Sequence, residues 1–498
     1  MQVPTVFQKA QLSHAGGANR KWWTLGAVSF GLFMIMLDNT VVNVALPTIQ
    51  RDLGLSLEEL EWVVTGYALT FAAFMLTGGK LADLLGRRRI FVAGLVVFTI
   101  SSLLCGLANS PGLLITWRIL QGIGAAMMNP ATLSIIAAAF PPNERGRAIG
   151  LWAGVSALAL ALGPLIGGLL TEHVGWGWIF FINVPVGVLA IAASYLFIDE
   201  SRDQSEEQRV DVPGLVSSGV GLFALTYGLI QANTYGWTSA RILGAFAVAA
   251  IGLVAFVVIE MRSRLPMLDL GLFRNPTFSG ANLAMLLIAL AMFGVFFFVS
   301  LYMQQILGYS PVKAGLTFLP LTVLIILVAP QAGRLSDAVG ARWIVGAGLT
   351  LVALSLGLFS RLGIGATFTD LLPGLLFGGV GMAMSMAPTT AAAMASVPVD
   401  KAGVGSAVLN SMRQIGGSVG IALMGAIVAH VLTDSLAAGD SRPVAFVNGF
   451  QSGLRVAALI ALAGALVAVV LIRRPHHPPE AMPSPAEQLD VGQVPRDR

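Results

Sequence analysis

Apolar positions along this chain come in long runs nearly free of charge, fourteen in all, separated by short polar breaks. They lie near 24–46, 61–80, 90–107, 112–136, 147–170, 178–197, 213–232, 240–260, 279–302, 314–333, 343–361, 370–392, 404–432 and 453–472. A helix needs about 20 apolar residues to cross a hydrocarbon core of about 30 Å. Lipid offers no partner to backbone N–H and C=O groups, so runs of this kind are helices that satisfy their own backbone. The pattern predicts an all-α integral membrane protein with 14 transmembrane helices.

Against that background a charge is informative. Within the runs, only Asp38, Arg118 and Arg413 sit well away from both membrane surfaces. An ionisable group at that depth is expensive and marks a functional site by default. One carboxylate able to take up and release a proton, with two arginines, is what a proton-driven transporter needs. Asp38 lies about 14 residues into the first run, roughly 21 Å at 1.5 Å per residue. Arg118 lies about six residues from the outer end of the oppositely directed fourth run, at similar depth. Were the two neighbours, burial would favour the neutral acid and the guanidinium the carboxylate, and their balance would govern how readily Asp38 takes a proton. The competing reading is a permanent structural ion pair.

With 56% hydrophobic and 11% charged residues, against about 25% charged in soluble domains, a soluble protein is excluded. The net charge of +4 follows from topology. With the N-terminus inside, most Lys and Arg fall at cytoplasmic ends and loops, Arg87, Arg88, Arg89, Arg145 and Arg147 among them. Arg51, Arg241, Lys313, Arg361, Arg442 and Arg455 fall outside. This bias predicts a multi-pass protein of the cell membrane with both termini cytoplasmic. Basic residues dispersed over one membrane face give no nucleic-acid footprint. Arg outnumbers Lys 24 to 5, the usage of a GC-rich bacterial genome. The lone Cys105 rules out an intrachain disulfide. The first 22 residues are polar and lack a signal-peptide core, so the first run is expected to stay in the mature protein.

The chain also echoes itself. Gly79-Lys80-Leu81-Ala82-Asp83-Leu84-Leu85-Gly86-Arg87 returns as Gly333-Arg334-Leu335-Ser336-Asp337-Ala338-Val339-Gly340-Ala341-Arg342. Each copy joins the second and third helices of a six-helix set. This predicts two six-helix bundles, 23–197 and 279–472, with two inserted transmembrane helices at 213–260. Residues 1–22 form a cytoplasmic tail, 198–212 and 261–278 cytoplasmic linkers, and 473–498 a disordered tail, proline-rich and polar. The second linker, with apolar Leu272 and Phe273, reads as a loop or a helix lying at the membrane interface. Transporters built from repeats place substrate near mid-membrane where the halves meet.

Four motifs in order carry a resemblance that covers nearly the whole chain. Leu37-Asp38-Asn39-Thr40-Val41-Val42-Asn43-Val44-Ala45-Leu46-Pro47 lies on helix 1 and the Gly79–Arg89 loop follows helix 2. Arg118-Ile119-Leu120-Gln121-Gly122-Ile123-Gly124-Ala125-Ala126 lies on helix 4 and Gly163-Pro164-Leu165-Ile166-Gly167-Gly168 on helix 5. Together they resemble the major facilitator superfamily, in its fourteen-helix drug:proton antiporter branch. The resemblance implies that helices 1 and 4 both line the N-terminal cavity, bringing Asp38 and Arg118 together for proton coupling. It implies an inner gate at Gly79, Asp83, Gly86, Arg87 and Arg88, with Asp83 reaching across to the start of helix 13. Leu84 stands where the family usually has a basic residue. Gly163, Pro164, Gly167 and Gly168 match the antiporter motif, with Ala159 replacing a glycine, and imply export. Gly163 and Gly167 share a helix face at i, i+4, where small residues allow close approach. Trp178 to Pro185 resembles the branch's helix 6 entry, with Gly177 for an arginine, and Asn410 to Gly417 its helix 13.

Candidates for a substrate cavity are Asn43, Tyr67, Tyr302, Asn410 and Arg413, with Trp62, Phe71, Phe74 and Phe296 to Phe298 nearby on their helices. Apolar and aromatic walls with few polar groups suit binding of varied small molecules. Asn410 and Gln414 are placed to share the face of Arg413, as a substrate or gating site or as a polar cluster joining helices. The sequence has no phosphate-binding Gly-x-x-x-x-Gly-Lys-Ser/Thr loop, so ATP is not expected, nor any cofactor, metal or enzymatic activity. No histidine lies mid-membrane, and one central acid favours lipophilic substrates that are neutral or singly charged. The expected partners are a small-molecule substrate, protons and the bilayer, with the protein acting as a monomer. A dedicated exporter of one metabolite, and less so an importer, are the alternatives on this fold.

Overall fold

The computed structural model describes residues 20–202, 211–263, 266, 268–397 and 402–473. Both expected tails lie outside these residues apart from their innermost positions, as do much of the first linker and part of the second. Among the described residues 14 helices are long and apolar enough to cross a membrane. In the first half these are α1 (Arg20–Leu53), α2 (Leu57–Leu85), α3 (Arg87–Gly106), α4 (Pro111–Ala139) and α5 (Pro142–His173). The half ends with α6, which spans Trp178–Phe197 with a break at Ile182. Next come α7 (Val212–Tyr235) and α8 (Ala240–Arg262). The second half begins with α9 (Pro276–Leu301), prolonged by a π turn over Tyr302–Ile306, and α10, formed by Pro311–Thr317 and Leu319–Val339. It is completed by α11 (Ala341–Phe359), α12 (Phe368–Ala395), α13 (Ala402–Ala437) and α14 (Arg442–Leu471). Most of the helices overrun the apolar runs at both ends, because polar end turns are held by caps. Ser56, for example, accepts from Glu59 N while the Glu59 carboxylate accepts from Ser56 N, a capping box that starts α2 early.

The echo in sequence is an echo in backbone. Gly86 (φ 115°, ψ 130°) separates α2 from α3, and Gly340 (φ 104°, ψ 134°) separates α10 from α11. Both occupy the positive-φ region that glycine adopts most readily. Eight residues on in each copy the close helix crossing also recurs. Gly94 on α3 meets the Gly124 carbonyl of α4, and Gly348 on α11 meets the Gly381 carbonyl of α12. The inserted helices α7 and α8 pack on each other, and α7 leans on the seam between halves. There the Asn233 amide donates to the Ala426 carbonyl of α13 (2.7 Å), the Thr234 hydroxyl donates to Glu58 of α2 (3.0 Å), and Phe223 stacks on Trp62.

The face where α1 begins and α14 ends is called the near face below. On it, the segment after α8 is a short 3-10 turn, Leu270–Arg274, not a helix lying at the interface. Its Leu272 is buried in a protein cluster with Leu268, Phe278, Val397 and Val408, against which Leu76 of α2 packs. Those neighbours give the apolar residues of the turn a dry protein surface, so they do not need lipid.

Candidate functional site

Asp38 and Arg118 are both buried, at 0% and 1% exposure. The Arg118 guanidinium donates to Asp38 through Nη1 (2.5 Å), to the Gln121 side-chain oxygen (2.7 Å) and, through Nε, to the Val63 carbonyl of α2 (3.0 Å). Gln121 Nε2 donates to the other Asp38 oxygen at 3.0 Å. The Tyr67 ring lies 4.3 Å from the guanidinium carbon, and that of Phe180 5.7 Å. A charge pair out of water is tolerable only when its remaining hydrogen-bonding positions are filled, and here both carboxylate oxygens are. Glycines permit the approach. A β-carbon on Gly122 would collide with Thr70 and the Tyr67 carbonyl, so α4 rests on α2 where Arg118 must reach across. The Thr70 hydroxyl fastens this crossing by donating to the Ile119 carbonyl at 2.9 Å.

Below this pair, toward the near face, a cavity of about 160 Å³ lies between the two halves. Leu32 and Met36 of α1, Asn129 of α4 and Trp152 of α5 line it on one side. Met285, Met386, Asn410 and Arg413 line it on the other. Asp38 is two residues beyond Met36, hence on the opposite side of α1, and faces α4 instead of the cavity. Cavity and central carboxylate are therefore adjacent but separate.

Asn43, Tyr67 and Tyr302 do not line this cavity, and each is engaged elsewhere. Asn43 donates to the Asn39 carbonyl of its own helix (3.3 Å). Tyr67 is turned onto Arg118. Tyr302 stacks on Phe450 at 4.8 Å between ring centres and donates to the Gly363 carbonyl at 2.5 Å, near the far end of the second half. The aromatic wall is Trp152, whose indole N–H donates to Thr132 (3.1 Å). Its isolated place in helix 5 gave no pattern to notice.

The loop from Gly79 to Arg89 is knitted mainly within the first half. Asp83 accepts from Arg87 Nε (3.1 Å), Arg87 N–H donates to the Ser201 carbonyl, and Arg88 donates to Glu200 and the Ile198 carbonyl at the exit of α6. Among the described residues Asp83 has no partner on α13, and 398–401, at the start of helix 13 where the cross-half contact is expected, lie outside them. The two halves are joined by hydrogen bonds at the far face, and toward the near face Leu76 of α2 packs with Val397 and Val408. Gln304 donates to the Val44 carbonyl (2.8 Å), Gln305 to Gln50 (2.7 Å), and Val312 N–H to the Glu172 carboxylate (2.8 Å). Of the helix 5 glycines, Gly163 and Gly167 press on Thr40 and Val41 of α1, while Gly168 presses on Pro311 of α10. Pro164 lies against Gly315 on the same seam.

Besides Trp152, two residues emerge that were not singled out from sequence. Gln121, one turn beyond Arg118, closes the ion-pair network, and its i+3 spacing was the available signal. Glu61 is 2% exposed in the second turn of α2, its carboxylate against Gly425 of α13. A helix 2 that begins at 61 puts Glu61 at a membrane surface. The early cap at Ser56 carries it inside.

Continuous helices, a repeated six-helix half, a cavity on the dividing plane and a buried ion pair define a multi-pass membrane transporter. The Major Facilitator Superfamily family model matches residues 28–421 and 281–492, and the chain belongs to that superfamily. It is 37% identical over 439 residues to the tetracenomycin C resistance and export protein of Streptomyces glaucescens, covering 87% of this chain and 81% of that one. It is 38% identical over 416 residues to the multidrug resistance protein Stp of Mycobacterium tuberculosis, covering 83% and 77%. It is 37% identical over 457 residues to the puromycin resistance protein pur8 of Streptomyces alboniger, covering 91% and 90%. Among solved structures, an auto-inhibited peptide transporter of the POT family superposes with a TM-score of 0.69 at 14% identity, covering 93% and 99% of the two chains.

Proposed function

We propose that this protein exports lipophilic small molecules from the cytoplasm by alternating access, driven by inward movement of protons through Asp38. The near face is then cytoplasmic, in accord with the Lys and Arg bias. The relatives named for drug resistance and export support the direction, as does the glycine-packed α5. The observation that carries the coupling is the Asp38–Arg118–Gln121 network, a buried carboxylate with both oxygens held by α4 while its own helix lines the cavity. Protonating Asp38 removes the anion that Arg118 and Gln121 bind, loosening α1 from α4. Because α1 also carries Leu32 and Met36 at the cavity and Thr40 and Val41 at the α5 glycines, that change reaches both cavity and seam. Proton occupancy thus biases the equilibrium between inward and outward states.

Export is tested by accumulation in cells. Deleting the gene is expected to raise intracellular substrate, and a fall would establish import. Gly167→Leu should abolish efflux while the protein still reaches the membrane, because its side chain has no room beside the Val41 backbone. Wild-type efflux by this variant would remove the α1–α5 contact from the account. Asp83→Asn is expected to bind substrate with near wild-type affinity and transport it slowly, since the gate lies outside the cavity. Lost affinity with unchanged turnover per bound molecule would reassign Asp83.

A further inference from the structure

The two deep arginines differ in one respect. Arg118 has a carboxylate, an amide oxygen and a backbone carbonyl within hydrogen-bond distance. Arg413, about 12 residues into α13 and on the cavity wall, has no hydrogen-bond acceptor or carboxylate partner among the described residues. A guanidinium held in a membrane interior without an anion is costly. The surroundings add to the imbalance. Gln414 Nε2, next to it on α13, is buried without a hydrogen-bond partner. Among the described residues lining the cavity Arg413 is the one charged side chain, and none is acidic. The remaining wall is amide groups, hydroxyls, one indole, leucine side chains and the thioethers of Met36, Met285 and Met386, and thioethers adapt to ligands of varied shape.

We propose that Arg413 is the anion-binding group of the cavity, and that the transported molecules are lipophilic organic anions whose acidic group pairs with it while their aromatic body packs on Trp152 and the methionines. This rests on the reading of the cavity as the substrate site of an exporter and specifies its substrate class. The missing counter-ion arrives with the substrate. A cationic molecule would leave Arg413 unpaired and add a like charge beside it. An uncharged analogue would fill the same space without the ion pair. Because Asp38 lies outside the cavity, the anion does not need the coupling carboxylate for binding.

The test uses the full-length transporter in lipid nanodiscs at neutral pH with three probes of one shape: naphthalene-2-carboxylate, its methyl ester and 2-naphthylmethylammonium. The carboxylate is expected to bind about tenfold more tightly than the ester, with the ammonium weakest, as a charge-assisted hydrogen bond implies. R413Q should bring carboxylate affinity down to that of the ester, and R413K should keep part of the preference. Ester or ammonium binding as tightly as the carboxylate in the unsubstituted protein would overturn the proposal, as would a preference that persists undiminished in R413Q. Should R413Q fail to fold, the ranking in the unsubstituted protein and the R413K result decide. Flux in proteoliposomes separates the two layers of the argument. A carboxylate preference in binding without pH-gradient-driven flux overturns the export reading and leaves the anion site standing. Gradient-driven flux of the ester or ammonium without carboxylate preference overturns the anion site alone.

Discussion

Asp38→Asn is expected to abolish efflux driven by a pH gradient while leaving the fold and substrate binding in place. Asn has nearly the shape of a protonated Asp: its one oxygen can still accept from Arg118 while its NH2 replaces the oxygen that accepted from Gln121, so α1 and α4 lose one bond and keep the rest of their packing. Substrate binding should survive because Asp38 lies on the side of α1 away from the cavity, two residues past Met36. The side chain can no longer exchange a proton, so uphill transport should fall to background whereas downhill flux or substrate exchange continues. Parallel measurements of gradient-driven and downhill flux in vesicles make the distinction. Full gradient-driven efflux by this variant would return Asp38 to a structural ion pair. Loss of both fluxes together with substrate binding would show that the variant is damaged more generally.

Arg118→Met is the second large effect, and it separates structure from coupling. Removing one member of a buried ion pair leaves the other unpaired at a cost of about 3–5 kcal/mol, whereas replacing both is often neutral or stabilising. The single variant should therefore lose thermal stability and all transport. The double variant Asp38→Asn/Arg118→Met should regain stability near that of the unsubstituted protein and remain unable to couple. Thermal unfolding in detergent, read beside gradient-driven flux, checks both halves of the statement. Stability regained together with coupled transport would show that the network only holds α1 to α4. A single variant as stable as the unsubstituted protein would show that the pair contributes little to the fold.

Much of the architecture was legible because lipid imposes strict rules on sequence. Charge-free runs marked the 14 spans, and the Gly79 to Gly86 repeat marked the two halves, with Gly86 and Gly340 sharing one backbone conformation. The pairing of Asp38 with Arg118 was approachable from their similar depth together with the resemblance that sets helices 1 and 4 around one cavity. What escaped depended on which way a side chain turns around its helix. Tyr67 and Tyr302 are amphipathic aromatics that suit a cavity, yet one covers Arg118 and the other stacks on Phe450. Trp152 lines the cavity from a stretch that carries no distinguishing pattern. Glu61 escaped because a helix start was placed by hydropathy, whereas the Ser56 cap begins α2 one turn sooner. The partner expected for Asp83 falls at the start of helix 13, at 398–401, outside the described residues.

The central claim is that export and inward proton movement are one process, and simultaneous measurement of both is its most direct test. The transporter is reconstituted so that the cytoplasmic face looks outward, with the vesicle lumen made acidic and loaded with a pH-sensitive dye. On adding substrate to the bath, the account predicts that substrate accumulates in the lumen while lumenal pH rises, both ceasing when the gradient is collapsed with an ionophore. Accumulation that continues after the gradient is gone, or that leaves lumenal pH unchanged, would contradict it.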